Sequence, residues 1–370
     1  MPKTLKPDHG LFLATLALVA LGVAMVFSAS TSIAQDKFGD ANYFWVRQLM
    51  AGALGMAILF VIMKLDYHVY QRPAFVFTIL AAAVGLCVST LFFPPVRGTY
   101  RWIQLPGLSF QPSEMAKLAL IAFLAYFLEK RKGRINEVQT LVPIGVVVAL
   151  LAGLILFQGD LGTALALMTT TAVLLYVAGL NMKWIGISVL AALPIGYIAF
   201  YFLVFLVPYR WNRILVFLDP EIDPQGVGFQ IIQSLTSVGT GGIRGLGYME
   251  GKQKLFYLPD AHTDFIFAVI GEELGLIGTL LVLVLFGVFA WRGLRASGRA
   301  PDLFGFYVAL GITVTVCIQA FINMSVVLGI VPNKGIPLPF LSYGGSSFVV
   351  MLTAVGILLN VSQQGEIGNS

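Results

Sequence analysis

Charged side chains are scarce in this sequence. Of its 370 residues only 11% are Asp, Glu, Lys or Arg, whereas 58% are hydrophobic. Soluble globular domains carry roughly 25% charged residues, so the composition excludes a water-soluble enzyme and a disordered scaffold. There are only two cysteines, and both lie inside apolar runs, which excludes a small secreted protein built on disulfides. The sequence is that of a polytopic membrane protein.

Long apolar runs predict a bundle of about ten transmembrane helices, because one span needs about 20 apolar residues. We expect residues 1–370 to form a single all-α membrane domain, with a large loop at 208–263 between the seventh and eighth spans. The first run is interpreted as a retained helix rather than a removed signal peptide. The predicted spans are 11–31, 46–64, 74–94, 113–129, 140–158, 161–180, 184–207, 264–291, 303–329 and 343–361.

The distribution of Lys and Arg predicts the orientation in the membrane. With the N-terminus in the cytoplasm, twelve of these residues fall in the inner connections and five in the short outer loops. The positive-inside rule then places both termini in the cytoplasm and the large loop outside. A loop of this length is usually functional, so we expect the active face to be external. The basic residues are topology signals, and no nucleic-acid partner is predicted.

Several ionisable residues fall at membrane depth, where they usually face a protein interior or a cavity. Glu114 and Lys117 can pair on one face of the fourth span, with Ser113 as its N-cap. Asp160 is placed to cap the sixth span. For each of them a structural role stands beside a role in orienting a substrate.

Two further carboxylates, Glu272 and Glu273, lie about two turns into the eighth span. Glu272 is counted among the supporting residues, and at least one of the two is expected to face inward and to be paired.

Asp264 is the strongest candidate for chemistry. It follows His262 and Thr263 and is predicted to open the eighth span, where the large loop meets the bilayer. The alternative is a carboxylate that only stabilises the start of a helix. The Gly- and Pro-rich run 335–347 supports a functional site, because irregular backbone near a membrane is tolerated where it is buried in protein or lines a cavity.

No nucleotide or metal motif accompanies these residues. The run 239–247 resembles a phosphate-cradling loop in composition, but no Lys-Ser or Lys-Thr follows it. A Walker signature, an HExxH motif and paired cysteines are also missing from the sequence. If the protein is an enzyme, its substrate must therefore arrive already activated.

Motifs spread from the first span to the last resemble the SEDS family (shape, elongation, division and sporulation). The Tyr257–Gly275 segment resembles the family signature, and the Gln253–Asp264 region is more similar to the division branch than to the elongation branch. The sequence departs from the family pattern at Asp260, where Glu is usual, and at Gly159, where Pro is usual. The other similar stretches are Arg101–Trp102, Phe110–Lys117, Asp160–Ala164, Asp219–Ser234 and Pro337–Ser347.

The resemblance implies a peptidoglycan glycosyltransferase of the bacterial cytoplasmic (inner) membrane. Such an enzyme polymerises lipid II, a disaccharide-pentapeptide on undecaprenyl pyrophosphate, at the outer face of the membrane. A member of the division branch would act at the septum. The implied partners are a class B penicillin-binding protein and other membrane proteins of the divisome or elongasome.

The reaction needs a base for the attacking sugar hydroxyl and positive charge for the departing pyrophosphate. Asp264 matches the carboxylate considered essential in the family and is assigned as the general base. Mg²⁺ or Mn²⁺ could share the charge of the leaving group, although the sequence has no dedicated set of ligands. The predicted substrate-binding residues are Arg101, Arg210, Lys334, His262 and Ser342, and the supporting residues are Glu114, Lys117, Asp160 and Glu272.

Three alternatives remain open at the level of sequence. The first is a polymerase for cell elongation. The second is a flippase that moves lipid II and uses Glu114, Lys117 and Glu272 as a polar path. The third is a non-catalytic scaffold that recruits a penicillin-binding protein.

Overall fold

The computed structural model is a bundle of long helices. It describes residues 6–96, 98–105, 108–184, 186, 190, 201, 211, 215–224, 226–332 and 335–365. The helices are α1 (His9–Phe38), α2 (Tyr43–Ile62), α3 (Pro73–Ser89), α4 (Pro112–Lys130), α5 (Val138–Phe157), α6 (Leu161–Val177), α7 (Val227–Gly241), α8 (Ile266–Gly298), α9 (Leu303–Val327) and α10 (Gly345–Gln363). A short antiparallel hairpin, β1 (Ile103–Leu105) and β2 (Leu108–Phe110), precedes α4.

Within the described residues, seven helices are long and apolar enough to cross a membrane. The prediction of an all-α polytopic membrane protein is therefore confirmed. The predicted spans other than the seventh each overlap one helix, whereas the span at 184–207 falls mostly outside the described residues. That residues 1–370 form a single domain stays a prediction.

Helix boundaries differ from the prediction where polar residues continue an apolar helix. The first helix runs past residue 31 through Asp36 and Lys37, and it ends at Phe38 because Gly39 adopts a left-handed φ of 68°. Apolar periodicity marks only the part of a helix that faces lipid or core. A helix that extends beyond the bilayer is therefore longer than its apolar run.

The bundle has two ends, which we name by their connections. The site end carries the described residues of the connections between α3 and α4, α5 and α6, α7 and α8, and α9 and α10, and the opposite end carries residues 63–72, 131–137 and 299–302. We name residues 335–344, which have no helix, the α9–α10 segment. The central α9 is the most buried of the seven long apolar helices and packs against α4, α6, α8 and α10.

The Gly-rich stretch between α7 and α8 is joined to a break in α8 by backbone hydrogen bonds. Gly275 interrupts α8 with φ 64° and ψ −159°. The N–H of Leu276 then donates to the carbonyl of Gly242 at 2.9 Å, and the N–H of Leu246 donates to the carbonyl of Glu272 at 3.0 Å. These bonds satisfy backbone groups that the break releases, as membrane depth requires. The Gly-rich stretch therefore supplies hydrogen-bond partners to the broken part of α8.

We expect Gly245→Ala to destabilise this junction by about 3 kcal/mol. Gly245 has a φ of +77°, and an added Cβ would lie 2.7 Å from the backbone nitrogen of Gly275 and collide with the carbonyl of Glu273. The measurement is the thermal unfolding midpoint in detergent. Gly239→Ala is the matched control, because an added Cβ there would meet no atom within 4 Å beyond its chain neighbours and the backbone of its own helix. Equal midpoints for Gly245→Ala and the wild type would contradict the prediction.

Candidate active site

Asp264 lies on the turn that precedes α8. The helix begins at Ile266, so the carboxylate is two residues before the helix rather than at its start. The turn is closed by the N–H of Thr263, which donates to the carbonyl of Asp260 at 3.0 Å. Asp264 is half-buried, and its Oδ2 faces Gly335, where an added Cβ would be 2.6 Å away. A glycine at position 335 thus gives the carboxylate room against the α9–α10 segment.

The α9–α10 segment is fastened to the Asp264 turn by hydrogen bonds. The N–H of Tyr343 donates to the carbonyl of His262 at 2.9 Å. The hydroxyl of Ser342 donates to the carbonyl of Thr263 at 2.6 Å and accepts from the N–H of Leu338 at 2.7 Å. The irregular backbone predicted here is confirmed up to the start of α10. Two segments far apart in the sequence therefore form one rigid wall of the site.

The predicted contacts of His262 and Ser342 with substrate stay predictions. Ser342 is buried, and its hydroxyl both donates to and accepts from backbone groups. The ring of His262 is buried against Phe44, with 4.7 Å between ring centroids, and against Tyr343. Burial raises the pKa of the Tyr343 phenol above its ordinary value, and this effect outweighs the positive charge of Arg47, which lowers the same pKa.

Arg101 connects three parts of the site end. Its guanidinium donates to the carbonyl of Gly159 and, at 3.5 Å, to the carbonyl of Gly335. It also lies 3.8 Å from Oδ1 of Asp160. Gly335 is thus contacted by Arg101 and faced by Asp264, so the structure brings together the predicted base and one predicted substrate-binding cation.

Asp160 caps α6, as the sequence predicted. Its carboxylate accepts from the N–H of Thr163 at 3.0 Å and from the side-chain amide of Gln111 at 3.1 Å. The predicted cap of α4 was wrong. That helix begins at Pro112 with Gln111 as its N-cap, and Ser113 lies inside the first turn. The reason is that proline fits the first position of a helix, where its missing N–H is not needed.

Glu114 and Lys117 form the predicted pair, at 2.9 Å and fully buried. The ammonium of Lys117 also donates to Oε1 of Gln319 on α9 at 2.6 Å, and the amide of Gln319 donates to the carbonyl of Pro337 at 3.1 Å. A line of polar groups therefore runs from α4 through α9 to the α9–α10 segment. Oε2 of Glu114 has no hydrogen-bond partner within the part of the chain that the structure describes.

Glu272 and Glu273 are both buried, and both hold the loop that precedes α8. Glu272 accepts from the backbone N–H groups of Lys252 and Gln253, at 2.8 and 3.1 Å. Glu273 accepts from the ammonium of Lys254 at 2.6 Å. The expectation that at least one of these carboxylates faces inward and is paired is therefore confirmed.

The sequence reasoning missed three polar residues near this site: Lys254, Gln319 and Asn323. Gln319 and Asn323 are four residues apart within a transmembrane helix, so they share one face of α9. Two amide residues at this spacing within an apolar run could have been recognised from the sequence, because polar groups at membrane depth need partners. Lys254 gave no such signal, since it lies in a loop of mixed charge.

Two predicted substrate-binding cations, Arg210 and Lys334, lie outside the described residues. Among the residues that are described, no three His, Cys, Asp or Glu side chains are grouped as metal ligands. The described residues therefore do not fit a resident metal ion.

Comparison with known proteins identifies the family. The model described as "Cell cycle protein", which covers FtsW, RodA and SpoVE, matches residues 9–367. The chain is 45% identical to the probable peptidoglycan glycosyltransferase FtsW of Trichlorobacter lovleyi, over 96% of this chain and 93% of the relative. It is also 45% identical to stage V sporulation protein E of Bacillus subtilis, over 98% of both chains.

Solved structures agree with these relatives. A chain of a peptidoglycan synthase complex that coordinates polymerization and crosslinking matches with a TM-score of 0.79 at 30% identity, over 96% of this chain and 97% of that one. The rod shape determining protein RodA of Thermus thermophilus matches with a TM-score of 0.71 at 27% identity, over 98% of both chains. The protein described here therefore belongs to the FtsW, RodA and SpoVE family, the SEDS family that its motifs resemble.

Proposed function

We propose that this protein is a peptidoglycan glycosyltransferase that polymerises lipid II at the outer face of the bacterial cytoplasmic membrane. Relatives that share 45% of its residues over nearly the whole chain are named as this enzyme. The observation that carries the proposal is the placement of Asp264, a half-buried carboxylate whose oxygen faces Gly335, the residue that Arg101 also contacts. A base and a cation beside one wall suit a glycosyl transfer.

In this mechanism a sugar hydroxyl attacks the anomeric carbon of an activated donor. A carbon–oxygen bond forms to the acceptor, and the bond from the anomeric carbon to the pyrophosphate oxygen breaks. Asp264 takes the proton of the hydroxyl as general base. Undecaprenyl pyrophosphate departs with the bonding electron pair, and Arg101 stabilises its negative charge. Arg210 and Lys334 are further cations that we assign to the same leaving group.

The supporting residues are proposed to hold this geometry. Asp160 fixes the guanidinium of Arg101, and the Glu114–Lys117 pair holds the α9–α10 segment through Gln319. Glu272 fastens the loop that leads to the Asp264 turn. None of these roles requires direct contact with substrate.

We further propose that both termini are cytoplasmic, that the chain is a single domain, and that it acts at the division septum. A class B penicillin-binding protein is the proposed partner, because a structural relative belongs to a complex that coordinates polymerization with crosslinking. Other divisome or elongasome membrane proteins are also proposed partners. Relatives named FtsW at 45% identity favour the division role over the elongation role, since the RodA relative is only 27% identical.

The flippase alternative is less well supported by the contacts of the buried charges. Glu114 is paired with Lys117 at 2.9 Å, and Glu272 accepts two backbone N–H groups. Lys117, Glu272 and one oxygen of Glu114 thus contact protein groups, whereas a polar path needs groups that contact the transported headgroup. A scaffold would give the Asp264 turn and its hydrogen bonds no purpose.

The test is polymerisation by the purified full-length protein in liposomes with lipid II, alone and with a class B penicillin-binding protein. We expect glycan strands that resolve as a ladder on a gel and disappear after digestion with a muramidase. A flippase would instead move fluorescent lipid II across the bilayer without forming polymer. A scaffold would bind the partner and do neither. Absence of polymer with the partner present, from protein that is folded and partner-bound, would contradict the proposed function.

A further inference from the structure

Asn323 is a buried amide on α9 directly beneath the site. Its side chain is 1% exposed. Its Nδ2 donates to the carbonyl of Asp264 at 2.8 Å and to the carbonyl of Ile336 at 2.7 Å. One side chain on a rigid helix therefore holds both irregular segments that form the wall of the site.

The orientation of this amide is determined by its neighbours. Both partners are carbonyl oxygens, which only accept hydrogen bonds, so the amide nitrogen must face them. Both of its hydrogens are then used. Among the residues that the structure describes, the buried Oδ1 of Asn323 has no hydrogen-bond partner. The two hydrogens of this amide therefore hold the backbone of the Asp264 turn and of the α9–α10 segment at once.

The other hydrogen bonds at this wall each connect only two of its parts. Those of Ser342 and Tyr343 join the Asp264 turn to the α9–α10 segment. That of Gln319 joins the α9–α10 segment to α9 through the carbonyl of Pro337. Asn323 joins both segments to α9 with a single planar amide group. It therefore fixes the position of the Asp264 backbone relative to this central helix.

We propose that Asn323 is a positioning residue for Asp264, an inference that rests on the proposed function. It holds the backbone of the base in place against the α9–α10 segment and does not touch the reacting atoms. A displacement of about 1 Å in such a group can reduce the rate about 10²-fold. We therefore expect Asn323→Ala to lower kcat for lipid II polymerisation about 10- to 100-fold, with KM within about threefold of the wild type.

Asn360 provides a matched control at the opposite end of the bundle. It is also buried, at 3% exposed, and its Nδ2 donates to the carbonyls of Met63 and Leu65, at 2.9 and 2.5 Å. Asn360→Ala removes the same kind of bridge between a helix and an irregular segment. Oδ1 of Asn360 also accepts from the N–H of Tyr67 at 3.1 Å and from the amide of Gln364 at 3.2 Å. We therefore expect Asn360→Ala to lower the thermal unfolding midpoint at least as much as Asn323→Ala does, but to keep a kcat within about twofold of the wild type.

The experiment measures kcat and KM for full-length protein with its penicillin-binding partner, corrected for the folded fraction. Equal losses of kcat in Asn323→Ala and Asn360→Ala would show a purely structural role and overturn the proposal. Wild-type kcat in Asn323→Ala would overturn it as well. If Asn323→Ala does not fold, Asn323→Ser retains one donor. A kcat reduced by at least about fivefold then supports the proposal, and an unchanged kcat overturns it.

Wild type and Asp264→Asn belong in the same series. If the wild type forms no polymer, or if Asp264→Asn forms as much as the wild type, the proposed function or the assigned base has failed. If the wild type is active and Asp264→Asn is inactive while Asn323→Ala has normal kinetics, only the positioning role of Asn323 has failed.

Discussion

We expect Asp264→Asn to reduce polymerisation of lipid II by about 10²–10⁴-fold, the contribution of a well-placed general base. The amide keeps the shape of the side chain but does not accept the proton of the attacking hydroxyl. Because Asp264 is half-buried on a turn whose backbone is held by Asn323, the fold should persist. The measurement is the initial rate of glycan formation from lipid II, with the penicillin-binding partner present and thermal unfolding recorded in parallel.

Glu250→Gln is the matched control for this prediction. Glu250 is a carboxylate of the same loop, but its side chain is exposed. Its neutralisation changes the charge near the membrane by the same amount and should leave the rate within about twofold of the wild type. If Asp264→Asn forms polymer at the wild-type rate, Asp264 is not the base. If both variants lose activity equally, the effect is one of overall charge.

Most of the described helices and most of the buried carboxylates were predictable because the membrane sets a simple rule. Apolar runs of sufficient length form helices, and a charge within them needs a partner. Glu114 and Lys117 pair with each other, because they lie three residues apart on one helix. Asp160 follows the same rule as an N-cap, accepting from the N–H of Thr163. In these cases the partner is a near neighbour in sequence, so a local pattern was enough.

Partners that are distant in sequence were not predictable. Glu273 accepts from Ser28, which is 245 residues away on α1, and Asn323 donates to a residue 59 positions earlier. No periodicity within a helix encodes which other helix packs against it. The role of the Gly-rich stretch between α7 and α8 was not predictable for a related reason. Its glycines allow a close approach to the backbone of α8, which lies about 30 residues further along the chain.

We expect Lys254→Met to destabilise the protein by about 3–5 kcal/mol, the usual effect of removing one partner from a buried ion pair. The ammonium of Lys254 lies 2.6 Å from Oε1 of Glu273, and their side chains are 6% and 0% exposed. Without Lys254 the donors left to this carboxylate among the described residues are neutral: the hydroxyl of Ser28 and the N–H of Met249. The measurement is the unfolding midpoint in detergent, which should fall by several degrees.

The double variant Lys254→Met/Glu273→Gln separates the charge from the packing. With the carboxylate replaced by a neutral amide, no uncompensated charge remains buried, so part of the lost stability should return. Arg134→Met is the control, because Arg134 pairs with Glu137 at 4.0 Å on an exposed surface and such pairs contribute only about 0–1 kcal/mol. A double variant no more stable than Lys254→Met would mean that the ammonium stabilises the loop by its other contact, with Ser28 at 2.8 Å, rather than by neutralising Glu273.

The loop between α7 and α8 leads directly to the Asp264 turn, so a loss of this pair should also lower the rate of polymerisation. The rate should recover in the double variant to the same extent as its stability.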